Sequence, residues 1–156
     1  LHQNGMMAVG RYVVFKVPPF HRNIARSILK APKYYFYDTG QAPDEPGMKL
    51  ENLVACALLK EMHFREDCRG EKWDVYYLRN KDGREIDFLL TKEDKPSLMI
   101  EVKWSDAERS SNFSLFEKYL AGAKKIQIVK ELKREKTYPD GVEIRTAQNW
   151  LSEMPL

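Results

Sequence analysis

The stretch WDVYYLRNKDGREIDFLLTKEDKPSLMIEVKWS, residues 73–105, decides the fold. Three runs in it, WDVYYLRN, REIDFLL and LMIEVKW, are rich in β-branched and aromatic residues and read as strands. The turn residues of KDG and of TKEDKPS separate them. Asp82-Gly83 is a two-residue hairpin signal, so the first two runs should pair antiparallel and the third should continue the meander. Asp87, Glu101 and Lys103 stand in these strands among Ile86, Phe88, Leu90, Ile100 and Val102. Burying a charge without a partner is costly, so these three are either solvated or form a site.

Working outward, Leu50, Leu53, Val54, Ala57, Leu58 and Met62 recur at helical spacing and predict an amphipathic helix from about Met48 to Phe64. After the meander, NFSLFEKYLAGA places Phe113, Phe116 and Leu120 on one helical face, with Ser111 or Asn112 as cap and Gly122 near the stop. KKIQIVKEL is a further strand. A strand reached from the sheet through a helix makes a crossover connection, which should be parallel and right-handed. GVEIRTAQNWLSEM closes the chain as a short strand and a helix capped by Thr146. The order is helix, three-strand antiparallel meander, helix, strand: an α/β arrangement with a mixed sheet.

Upstream, GRYVVFKVPPF reads as a strand stopped by Pro18 and Pro19, and KYYFYDTG as a second, aromatic strand ended by Asp38-Thr39-Gly40. HRNIARSILK between them fits a short helix or a loop. The two prolines of QAPDEPG mark the clearest boundary. We therefore expect one domain, with residues 1–46 an N-terminal extension packed on a core of residues 47–156.

At 156 residues, 43% hydrophobic and 31% charged, the composition is that of an ordinary globular protein, long enough to bury roughly two-thirds of its unfolded surface. No apolar run approaches a membrane span of ~20 residues, and LHQNGMMAVG lacks the layout of a signal peptide, so a cytoplasmic protein is expected. The start at Leu1 suggests a piece of a longer chain. A net charge of +3 permits a polyanion partner without demanding one. Lys124, Lys125, Lys130, Lys133, Arg134 and Lys136 cluster late, as a solvated surface or a phosphate-binding patch. Cys56 and Cys68 are too few and too oddly spaced for zinc or a redox motif, and His2, His21 and His63 form no ligand spacing.

Side chains alternate along a strand. Asp87 should thus share a face with Glu85 and Leu89, while Glu101 and Lys103 share one opposite to Ile100, Val102 and Trp104. One register of neighbouring strands brings Asp87, Glu101 and Lys103 together. Two carboxylates a few ångströms apart resist joint ionisation unless a cation lies between them, and hard oxygen donors suit Mg²⁺ or Mn²⁺. A lysine two residues beyond points at the same place, where it would handle a water or neutralise charge growing on a phosphate. The plain alternative is a structural ion-pair cluster in which Lys103 bridges the two acids.

IDFLL with IEVKWS resembles the PD-(D/E)XK nuclease superfamily, whose restriction-endonuclease-like core has the order just derived. More closely, APKYYFYDTG, LENLVACALL, YYLRNKDGREIDFLL and IEVKWS resemble the uncharacterised C-terminal domain behind many prokaryotic AAA+ ATPases. The resemblance covers residues 30–105 well and the rest in layout. It implies that Asp87 and Glu101 bind Mg²⁺ or Mn²⁺, that the Val102 carbonyl is an extra ligand, that Lys103 is the catalytic lysine, and that DNA is the substrate. It also implies an ATPase domain in the parent chain. Glu51 matches an acidic residue that many members carry on the first helix; helical geometry alone leaves Glu61 open as well. Ile86 stands where the superfamily is named for proline, and no G-x-x-x-x-G-K-S/T loop is present.

Several residues have two readings. Glu85 is a supporting partner in the site or an ion pair with Arg79 or Arg84. Trp104, Tyr76 and Tyr77 are stacking platforms for bases or core packing. The whole domain is a DNA phosphodiesterase or a catalytically silent module that binds nucleic acid or protein for an attached ATPase.

Overall fold

The computed structural model of the protein describes residues 7–9, 12–20, 31–105, 108–120, 122–154 and 156. The segment HRNIARSILK lies outside them. Strands β1 (Met7–Val9), β2 (Tyr12–Val17) and β3 (Lys33–Phe36) form a small antiparallel sheet. A 3₁₀ turn at Thr39–Gln41 leads to α1 (Pro46–Arg69). Then follow β4 (Trp73–Arg79), β5 (Glu85–Lys92), β6 (Lys95–Lys103), α2 (Asn112–Glu117), β7 (Lys124–Val129), β8 (Lys136–Thr137), β9 (Val142–Thr146) and α3 (Ala147–Glu153). The main sheet has the order β4-β5-β6-β7-β9-β8. It is mixed: β4, β5 and β6 are an antiparallel meander, β7 joins β6 in parallel through α2, and β9 joins β7 in parallel. The α/β class and the element order expected from the sequence are those observed.

Helix α1 is longer than the predicted Met48–Phe64 at both ends. Pro46 needs no N–H partner at the first helical position, and the Glu45 carboxylate accepts from the amides of Gly47 and Met48. At the other end Gly70 adopts φ 66°, the left-handed conformation that terminates helices, and its N–H returns to Arg65 and Glu66. Leu53, counted in the apolar stripe, is exposed, and Leu59 and Asn52 are buried instead.

The hairpins differ from the expectation. Asp82-Gly83 does not form a two-residue turn; Asn80 and Arg84 are paired across Lys81-Asp82-Gly83, and Gly83 takes φ 78°. The Asn80 side chain explains the longer loop, accepting from the amides of Asp82 and Arg84. The tight turn lies after β5, where Glu93 and Asp94 both have positive φ between the paired Lys92 and Lys95.

Both faces of the main sheet are covered. On one face Phe88, Leu90, Ile100 and Ile128 pack with Val54 and Leu58 of α1 and Trp150 of α3, and Phe15, Val17 and Tyr35 of the small sheet belong to the same cluster. On the other, Leu89 and Met99 pack with Phe113 and Phe116 of α2. Beyond β2, residues 18–20 run along the outer edge of β4: Pro19 bridges Tyr77, and backbone hydrogen bonds run from Phe20 to Tyr77 and from Tyr77 to Pro18.

Candidate active site

The site forms where β5 and β6 part. Their ladder runs through Leu90–Leu98, Leu89–Met99 and Phe88–Ile100 and stops there, one step before Asp87 would face Glu101. In place of a backbone partner, the Val102 amide donates to Asp87 Oδ2 at 2.8 Å. A residue's N–H and C=O leave a strand on the same edge, so the Val102 carbonyl also opens toward β5.

A β-bulge sets the aim of Asp87. Tyr76 pairs with Leu89 and Leu78 with Ile86, so Tyr77 alone faces two residues, Asp87 and Phe88. The extra residue breaks the alternation expected from the sequence. Leu89 packs on the α2 face, whereas Asp87 meets residues of β3 and α1 on the other side, and only Glu85 keeps it company as predicted.

Lys33 stands at the centre of that company. Its ammonium lies 3.0 Å from Glu51 Oε1 and 3.5 Å from Asp87 Oδ1, and it pairs closely with Glu85. The Tyr35 hydroxyl donates to the same Glu51 oxygen at 2.6 Å. Burial alone would lower the pKa of Lys33, but the charges of Glu51 and Asp87 and the bond to Glu85 outweigh it and hold the amine above its ordinary value. Burial, with Glu51 beside it, holds the Tyr35 phenol well above the usual range. Glu85 also pairs with Arg79, at 2.5 Å, while Arg84 donates instead to Asn112 and Ser111.

Glu101 lies on the far side of Asp87 and is 3% exposed. Its Oε1 receives Lys103 at 3.0 Å and Ser110 and Asn112 at 3.3 Å each. Gln127 of β7, fully buried, accepts from the Ser110 amide and donates to the Glu108 carbonyl, which fixes the loop over Glu101. Oε2 of Glu101 is buried and has no hydrogen-bond partner among the described residues. Burial raises the pKa of Glu101 against the pull of Lys103. Asp87 is pushed up to about 7 by burial and by the charges of Glu51 and Glu101, with Lys33 and the Val102 amide pulling the other way.

The structure thus brings Asp87, Glu101, Lys103, Val102 and Glu51 to one end of the sheet. Glu61, left open by helical geometry, pairs with Arg65 at 2.7 Å on its own helix and takes no part. Tyr77 is buried core and Tyr76 packs on Phe20, while Trp104 is 37% exposed. Of the late basic cluster, Lys125 is buried against Glu117 and Lys124, Lys130, Lys133, Arg134 and Lys136 are exposed. Sequence reasoning missed Lys33, Tyr35, Ser110, Asn112 and Gln127. Lys33 and Tyr35 did carry a signal: two residues apart on a strand, they share a face.

Among the described residues no three His, Cys, Asp or Glu side chains are placed to hold a metal between them. Asp87, the unpaired Oε2 of Glu101 and the Val102 carbonyl are nonetheless hard oxygen donors of the kind a divalent cation takes. A buried carboxylate oxygen with no hydrogen-bond partner among the described residues is the observation that fits a cation here.

The chain belongs to the family described as "Domain of unknown function (DUF4143)", whose model matches residues 46–149. Lys33 and Tyr35 precede the matched stretch. No curated protein and no solved structure matches the chain. No described helix is long and apolar enough to cross a membrane.

Proposed function

We propose that this domain is a metal-dependent nuclease of the PD-(D/E)XK kind, hydrolysing DNA phosphodiester bonds with Mg²⁺ or Mn²⁺. The observation that carries the reading is the buried Glu101 Oε2, without a hydrogen-bond partner among the described residues, on a carboxylate that Lys103 flanks and whose charge acts on Asp87. Asp87, Glu101 and the Val102 carbonyl would hold the ion, which supplies a Lewis acid and an acidified water. The protein's own part is positional and electrostatic. Gln127, Ser110 and Asn112 keep Glu101 from turning away. Lys103, 37% exposed in its side chain, reaches solvent, where it can neutralise charge on a phosphate oxygen. Glu51, with Tyr35 and Lys33 on one oxygen, supports Asp87 from the α1 side.

A second reading is favoured by the pairing of both acids with lysines and by the family being one often found with AAA ATPases: a binding module that serves an attached ATPase in the cytoplasm without turnover. The deciding experiment is cleavage of labelled single-stranded, double-stranded and branched DNA with Mn²⁺ or Mg²⁺. Asp87→Ala and Lys103→Ala should each lower the rate by more than about a hundredfold. Cutting that survives Asp87→Ala overturns the nuclease; DNA binding without cutting, indifferent to metal, establishes the module.

A further inference from the structure

The two sides of Asp87 are not equivalent. On the Glu101 side a carboxylate oxygen is buried without a hydrogen-bond donor among the described residues. On the Glu51 side every acid has one: Glu51, Glu85 and Asp87 each place an oxygen within 3.5 Å of the single ammonium of Lys33. An ammonium has three protons, and three carboxylates from α1 and β5 surround this one.

We propose that Lys33 is a built-in cation that takes the place of a second metal ion, so that the chain loads one divalent ion, on the Glu101 side of Asp87. The proposal rests on the reading of Asp87 and Glu101 as ion-binding carboxylates. In-line displacements at phosphate are often served by two ions a few ångströms apart, both sharing a carboxylate. Here the shared carboxylate would be Asp87. Its Oδ1 faces Lys33, and its Oδ2 faces the edge of β6 where Val102 lies.

Lys33 is held in this position. Its side chain is only 21% exposed, and its ammonium lies 5.6 Å from the centre of the Tyr77 ring. The strand that carries it ends at Phe36, whose N–H and C=O are both bound by the Asn52 amide of α1. The same β3 strand brings Tyr35, whose hydroxyl fixes the Glu51 oxygen that Lys33 uses. A charge delivered by a half-buried side chain covalently fixed to a strand does not exchange with solvent, unlike a weakly held Mg²⁺. The extension therefore belongs to the site as well as to the core.

The test counts bound Mn²⁺ by calorimetry and by the loss of free-ion electron spin resonance signal, in the native chain and in Lys33→Met, which keeps the stem and removes the charge. We expect one ion per native chain and two per Lys33→Met chain. Equal numbers in the two proteins, or two ions in the native chain, overturn the proposal. No ion in the native chain and one in Lys33→Met supports the role of Lys33 while sinking the Asp87–Glu101 ion site; one ion in each leaves that site standing and removes Lys33. Should Lys33→Met be unfolded without metal, recovery of its fold in Mn²⁺ but not in K⁺ of equal ionic strength supports the proposal. Failure to recover in either overturns it.

Discussion

Asp87 has one oxygen on a strand amide and the other facing a lysine, yet it is less acidic than a free aspartate. Burial and two neighbouring acids outweigh the two partners, which puts its pKa at about 7 against an ordinary 3.8. The sign follows from proton counting. Between those values the folded chain keeps a proton that the unfolded chain has lost, so folding is favoured at the acidic end and stability falls as pH rises toward 7. Glu101, also raised, acts in the same direction. We expect the urea midpoint of the metal-free protein to fall from pH 4.5 to pH 7.5 and to flatten beyond. Asp87→Asn, which retains an oxygen for the Val102 amide, should remove most of that slope. A midpoint that rises over this window contradicts the burial argument.

Asp87 can be found in the sequence because its neighbours are apolar, but its direction could not be. Strict alternation places it with Leu89, and one extra residue opposite Tyr77 moves it to the other face. Nothing in REIDFLL announces a bulge: neither glycine nor proline marks it. Lys33 was hidden for a different reason. A lysine near the start of a strand is usually solvated, and its burial depends on Glu51 and Glu85, which lie 18 and 52 positions further on.

At the scale of elements, side chains that bind backbone decide how pieces dock. Asn52 of α1 is 3% exposed; its amide accepts from the Phe36 N–H at 2.8 Å and donates to the Phe36 carbonyl at 2.9 Å, as a neighbouring strand would. Replacing it with alanine removes both of these bonds and leaves the Phe36 carbonyl to the weaker Cys56 thiol, 3.1 Å away. We expect Asn52→Ala to cost about 1–3 kcal/mol in urea unfolding and to speed amide exchange at Phe36 well beyond that in β6. Exchange that accelerates equally everywhere argues against a local clamp. The elements themselves were legible because their patterns are local: the stripe of α1, the apolar runs of the meander, Thr146 capping α3 at Asn149. The hairpin after β4 was misread because the Asn80 side chain, not Asp82-Gly83, governs the loop. The tight turn after β5 was missed because Glu-Asp is not a usual pair at two positive φ angles.

For the molecule as a whole, the extension and the matched stretch share one hydrophobic cluster. Phe15 and Val17 are fully buried in it, and Tyr35 packs 5.5 Å from Phe88, ring centre to ring centre. A chain starting at residue 46 would expose the Phe88 surface and leave Glu51, Glu85 and Asp87 without Lys33. We expect it to bind a hydrophobic dye and to melt without a cooperative transition; a sharp melt near that of the full chain would show the extension to be an accessory layer. The boundary drawn at the prolines of QAPDEPG is thus a boundary in sequence composition, while the packing runs across it.

The strip of residues 18–20 along β4 has an effect on how copies of this protein meet. A bare outer strand offers a row of unpaired amides and carbonyls on which another molecule can polymerise. Here the Tyr77 N–H and C=O are already taken by Pro18 and Phe20, and the opposite outer strand, β8, is two residues long. Fibre growth by strand addition therefore finds no long template at either end of the main sheet among the described residues. The protein should tolerate high concentration, in a test tube or tethered beside its neighbours, without knitting its sheets together.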